Sequence, residues 1–239
     1  MITEDQENKI TDYLIAQQLS LDILVEIRDH MISQVSDLQH NDAVSFEEAF
    51  AKIKEYWKGE FKLVNYLLFY PTTIPLMAKK IIQEKYMVLF RKSLMIGLLA
   101  FGINLMLIFI TKNQEDYNIF FKLLNGSFLL GSVLILIFNY KIWKYLKADF
   151  KYKGKCLYTM YQQNIGLMVV CASSMAQVVM RNGSYAYQFF RQHNHSEVFP
   201  ALVTLILPFI LQTALVFAVF NFMEHKKNLV KMQEFLKPA

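Results

Sequence analysis

Four apolar runs, each long enough to cross a membrane as a helix, decide most of what this chain can fold into. The first, Ser93–Thr111, reads SLMIGLLAFGINLMLIFIT. The others are Phe120–Tyr140, Leu157–Met180 and Val198–Phe222, and no aspartate or glutamate falls inside any of them. A helix rises about 1.5 Å per residue, so about 20 residues cross a hydrocarbon core of about 30 Å. Hydrocarbon offers the backbone no hydrogen bonds, so each run must pair its own amides as a helix. The predicted fold class is all-α: an integral membrane bundle of four transmembrane helices, preceded by a small N-terminal helical domain. The lipid bilayer is then the first partner of the chain.

Basic residues set the predicted orientation. Lys79, Lys80, Lys85, Arg91 and Lys92 precede the first run. Lys141, Lys144, Lys147, Lys151, Lys153 and Lys155 lie between the second and third, and Lys226, Lys227, Lys231 and Lys237 follow the fourth. The two remaining loops carry few basic residues, Lys112 in one and Arg181 and Arg191 in the other. Basic loops stay on the cytoplasmic side, which places both termini there. The net charge of +5 has the same origin, so nucleic acid is not an expected partner. Cys156 and Cys171 stand in no metal or redox spacing and read as reduced, structural residues.

The first 60 residues contrast with the rest: thirteen acidic residues stand against five basic ones. Residues 1–62 read as three amphipathic helices. The first, from Thr3 to Gln18, puts Ile10, Tyr13 and Leu14 on one side. The second has Ser20 as N-cap, an apolar face of Leu24, Ile27, Met31, Val35 and Leu38, and an acidic face of Asp22, Glu26, Asp29, Ser33 and Asp37. The third opens on Ser45-Phe46-Glu47-Glu48, a capping box, and buries Phe46, Ala49, Phe50, Ile53 and Trp57. Residues 63–92 read as juxtamembrane. Leu63–Tyr70 is too short to span, Pro71 and Pro75 interrupt the chain, and a basic amphipathic helix from Pro75 either lies on the inner leaflet or packs on the bundle. Residues 223–239 form a basic tail.

Glu26-Ile27-Arg28-Asp29-His30, followed by Ser45-Phe46-Glu47-Glu48-Ala49, resembles the acidic helical module that precedes bacterial membrane segments, the HAAS-like or permease prefix domain. The likeness covers about residues 10–60. It implies a cytoplasmic bacterial module of regulatory character, and hence the bacterial inner membrane. Two features depart from the family. Asn41-Asp42-Ala43-Val44 replaces the usual glycine turn, and no large permease follows within these residues.

Three groups of side chains are candidates for function. Glu26, Asp29, His30, Ser33 and Asp37 offer a docking face for a basic partner, and Lys144, Lys147 and Lys151 form a basic loop that could answer the acidic head. Gln162, Gln163, Asn164 and Gln177 make the third run the most polar, either as interhelical glue or as a path for a substrate. Asn104, Asn125, Ser127 and Gln212 invite the same two readings in the other runs. His193, His195 and Glu197 are zinc-ligand types in an outer loop, but no second cluster accompanies them, so no metal and no cofactor is expected. There is no P-loop, dinucleotide fingerprint, HExxH or serine elbow, so an enzyme is not expected. The sequence points to an accessory or signalling subunit that binds another integral membrane protein or a second copy of itself. A small transporter or channel, or an extracytoplasmic metal sensor, stands as the alternative.

Overall fold

A computed structural model describes residues 2–17, 19–67, 70–140, 159–193 and 195–231. Apart from one two-stranded hairpin, regular structure among them is helical. The chain divides into two units. One comprises residues 1–86, 149–162 and 225–239, and the other residues 87–148 and 163–224.

The first unit begins with α1 (Glu4–Ile15), α2 (Leu21–Asn41) and α3 (Phe46–Trp57). Their apolar faces meet as the heptad-like spacing demands: Ile10, Leu14, Leu24, Ile27, Met31, Val35, Ala49 and Phe50 are buried. The Ser45 side chain accepts the Glu48 amide at 3.3 Å while the Glu48 carboxylate accepts the Ser45 amide at 3.2 Å, which satisfies two free donors at the start of α3. Trp57 is only half-buried, because its indole N–H donates to Gln34 Oε1 at 2.8 Å. Phe61, beyond α3, fills the space instead. It stacks on Trp57 and meets Tyr13 edge-on. In the turn between α2 and α3, Ala43 has φ 50°, a left-handed conformation that suits glycine better than alanine.

The stretch after Phe61 differs from the expected broken run. β1 (Leu63–Leu67) and β2 (Tyr70–Pro75) pair antiparallel, with Leu63 opposite Pro75 and Asn65 opposite Thr73. A two-stranded ribbon has only edges, so its prolines can sit where no ladder amide is needed. The hairpin closes onto the next helix: the Leu76 amide donates to the Lys62 carbonyl at 2.9 Å, and the Met77 amide to that of Glu60 at 3.0 Å. Lys80 adds an ion pair with Glu60 at 2.9 Å.

From there a single helix, α4 (Leu76–Ile110), joins the expected amphipathic helix and the first apolar run without a break. No proline or backbone interruption falls between them, so nothing ends the hydrogen-bond ladder. α5 (Gln114–Phe138) follows, capped by Asn113, whose side chain accepts the Asp116 amide at 2.8 Å. After the undescribed residues, which include Lys144, Lys147 and Lys151, come a 3₁₀ turn at Gln162–Asn164 and α6 (Ile165–Met180). The loop beyond holds a short helix, α7 (Ser184–Arg191). α8 (Val198–Lys231) ends the described chain and contains Pro208.

Three of these helices, α4, α5 and α8, are long and apolar enough to cross a membrane. α6 is apolar but shorter, and the first residues of the third run, Leu157 and Tyr158, lie outside the described ones. In the second unit the core gathers Ile108, Tyr117, Phe121, Met175, Val178, Ala186, Tyr187 and Leu205. Elsewhere the apolar helices turn large side chains outward, with Ile110 72% and Phe138 78% exposed. Surfaces of that size on a folded chain mark contact with lipid or protein.

Candidate functional site

The acidic face of α2 is open. Glu26, Asp29, His30, Ser33 and Asp37 are all exposed, and Asp29 pairs with Arg28 at 3.3 Å. Asp37 also borders a shallow cleft of about 280 Å³ between α2 and α3, beside the exposed Tyr56. A charged rim around an aromatic side chain is the usual composition of a protein-binding patch.

Asp22 behaves differently from the rest of that face. It is half-buried, and both carboxylate oxygens accept the Met160 amide at 3.2 Å. The Tyr86 hydroxyl donates to the carbonyl of the same residue. Next to it the buried Thr159 hydroxyl lies 2.7 Å from Nδ1 of the buried His225. Within the first unit, therefore, residues 159–160 are clasped by α2, by the first part of α4 and by the last part of α8. Sequence periodicity placed Asp22 with the solvated carboxylates, and nothing in local spacing shows that Met160 would meet it.

Burial pushes the Asp22 carboxyl above the usual carboxylate value, and the hydrogen bonds from the Met160 and Ile23 amides offset only part of that. The folded chain then holds a proton that the unfolded chain releases, between the ordinary value and the raised one. Stability is lost as pH rises through that window. Asp22→Asn keeps an acceptor for the Met160 amide and has no charge to bury. It is expected to remove this slope from a plot of thermal midpoint against pH. Asp22→Leu leaves a buried amide unpaired and is expected to cost about 1–3 kcal/mol at every pH.

The polar residues of the apolar helices hydrogen-bond to one another. Gln212 donates to Asn125 at 3.0 Å, the Tyr117 hydroxyl to Asn104 at 3.1 Å, and Asn164 to Asn221 at 2.9 Å. Asn118 and Ser184 add a further pair at 3.2 Å. Gln162 and Gln163 lie in the 3₁₀ turn, and Ser127 bonds its own helix at the Leu124 carbonyl. Two side chains make no such bond among the described residues: the buried Thr213 hydroxyl on α8, and Gln177, which stands on the exposed side of α6 with Ser173, among Val169, Val170 and Met180. The opposite side of α6 buries Met168, Cys171, Met175 and Val178.

His193 and Glu197 are exposed, and the side chain of His195 lies outside the described ones. His193 takes a left-handed φ of 53°, as the residue that ends the loop after α7. Among the described residues no three potential metal ligands come together.

A cavity of about 690 Å³ occupies the second unit where α5 begins, α6 ends and α7 meets α8. Sequence reasoning missed it, since its walls come from positions as far apart as Gln114 and Pro208. Gln188 on α7 donates to Gln114 on α5 at 3.2 Å and ties two of those walls together.

Comparison of the chain with protein-family models, curated proteins and solved structures finds no match, so its function has to be read from its own residues.

Proposed function

We propose that this chain is a non-catalytic, multi-pass subunit of the bacterial inner membrane, which binds a larger integral membrane protein through the outward face of α6 and the acidic face of α2. In this reading α6 is the third of four crossings, and both termini are cytoplasmic. The six lysines between Lys141 and Lys155 support that orientation. The likeness of residues 10–60 to a regulatory prefix module supports the signalling character.

The observation that carries the proposal is the position of Gln177. A glutamine side chain has two donors and two acceptor lone pairs. On the outside of an apolar helix, lipid satisfies none of them. Ser173, one turn earlier on the same face, already spends its hydroxyl on the Val169 carbonyl at 2.9 Å. A polar helix from another protein would supply what Gln177 lacks, at roughly 0.6–2 kcal/mol per hydrogen bond. Transport is less well supported, because Asn125, Gln212, Asn164 and Asn221 bond one another instead of lining an open path.

The test is affinity purification of the tagged full chain in mild detergent, with mass spectrometry of what accompanies it. A larger membrane protein is expected at stoichiometric yield. Gln177→Leu is expected to reduce that yield several-fold while the chain itself still accumulates. Recovery of the chain alone, or only with copies of itself, would end the subunit reading.

A further inference from the structure

The 690 Å³ cavity is divided chemically along the helices that build it. Its polar side chains come from the ends of elements: Gln114 opens α5, Arg181 caps the end of α6, and Ser184 and Gln188 lie on α7. Most of its apolar side chains come from the last turn of α6, with Val178, and from α8, with Val203 and Leu207 beside the hydroxyl of Thr204, which bonds the Pro200 carbonyl of its own helix at 2.8 Å. At the mouth Met180 and Phe199 are 82% and 76% exposed. A volume of this order is that of a small-molecule site, for which the common range is about 300–1,000 Å³.

Among the described residues Arg181 is the only charged one in the lining, and no ion pair to it occurs among them. A cation at a helix C-terminus has a favourable field in any case. That alone would not require an apolar slot beside it. A guanidinium next to amide and hydroxyl donors, continuous with aliphatic walls, matches a ligand with one anionic head and one hydrocarbon tail. The guanidinium fork fits a carboxylate or a phosphate in two-point contact. We infer that this cavity binds an anionic amphiphile, its carboxylate or phosphate against Arg181 and its acyl chain along Val203 and Leu207 of α8. Met180 borders both this mouth and the outward face of α6, but the residues that hold head and tail, Arg181, Val203 and Leu207, lie off that face, so their variants test the site independently of the subunit reading.

Two sources offer this chemistry, a phospholipid of the surrounding leaflet and a free fatty acid. Both are tested on the full chain with diazirine probes on the acyl tail. Diazirine-palmitate is presented to protein in detergent, and diazirine-phosphatidylglycerol to protein in nanodiscs. Photolabelled peptides are mapped by mass spectrometry. Label is expected on the Val198–Pro208 segment from at least one probe. Palmitate alone would identify a free amphiphile, phosphatidylglycerol alone a membrane lipid, and both outcomes support the site. An excess of unlabelled oleate or lysophosphatidylglycerol should displace the label, and neutral monoolein should not. Arg181→Gln removes a charge-assisted bond from an exposed position that carries little of the fold. It should weaken labelling roughly ten- to a hundredfold, with Arg181→Lys recovering part of it. Val203→Trp should block the tail and abolish label on α8 with the Arg181 end intact. Label confined to the outer surfaces of α4 and α5, or equal label in wild type and Arg181→Gln, would overturn the inference.

Discussion

Met31→Ala is expected to cost about 2–5 kcal/mol, the range for truncating a fully buried aliphatic side chain. Met31 is 0% exposed and lies in the middle of α2, between Ile27 and Val35 and against α3. The helices are short, and a core of about 60 residues has little surplus to absorb a cavity. Hydrogen exchange of the full chain in detergent is the appropriate measurement. Amides in α1, α2 and α3 should lose protection together, by two or more orders of magnitude if the loss exceeds about 2.7 kcal/mol. Protection retained across all three helices would mean that the head does not depend on this core.

The second large effect is expected at Gly97. A methyl group there would overlap the Thr213 hydroxyl and press on the Thr213 Cβ, where α4 packs on α8 in the second unit. Thr213 is buried and β-branched, so its hydroxyl cannot swing far. Packing contacts are the main source of helix association in lipid, which makes such a clash costly. Gly97→Leu should lower stability by about 1–3 kcal/mol or more. Gly97→Ala should lose less, and Thr213→Gly should restore part of that loss. Thermal unfolding of the single and double variants in one detergent gives the coupling between the two positions. A coupling near zero would mean that Gly97 does not pack against Thr213.

The parts of the fold legible in the sequence are those dictated by composition and short-range chemistry. The α4, α5 and α8 helices follow from long runs without acidic residues, and α3 from Ser45 and Glu48 three positions apart. The hairpin was not legible, because Leu63–Leu67 carries no alternation of apolar and polar residues and two prolines look like simple breaks. α7 is only eight residues long, which is too few for periodicity to declare a helix. The exposed positions of Glu26, Asp29, His30, Ser33 and Asp37 could be read from helical spacing, since a solvated face needs no distant partner. Asp22 could not, because its burial depends on a residue 138 positions away. The same holds for the cavity, where Arg181 matters only beside Val203 and Leu207.

The shortness of α6 has a consequence for the bilayer itself. Sixteen residues reach about 24 Å, against a hydrocarbon thickness of about 30 Å. α4, α5 and α8 can each cover the full thickness, so the mismatch is local to one side of the protein. If α6 crosses there, acyl chains next to its Val169, Val170 and Met180 face must shorten or tilt, and the strain falls as lipids thin or a neighbouring protein replaces them. Under that crossing, membrane thickness acts on this protein at one surface, the face of α6 that carries Gln177.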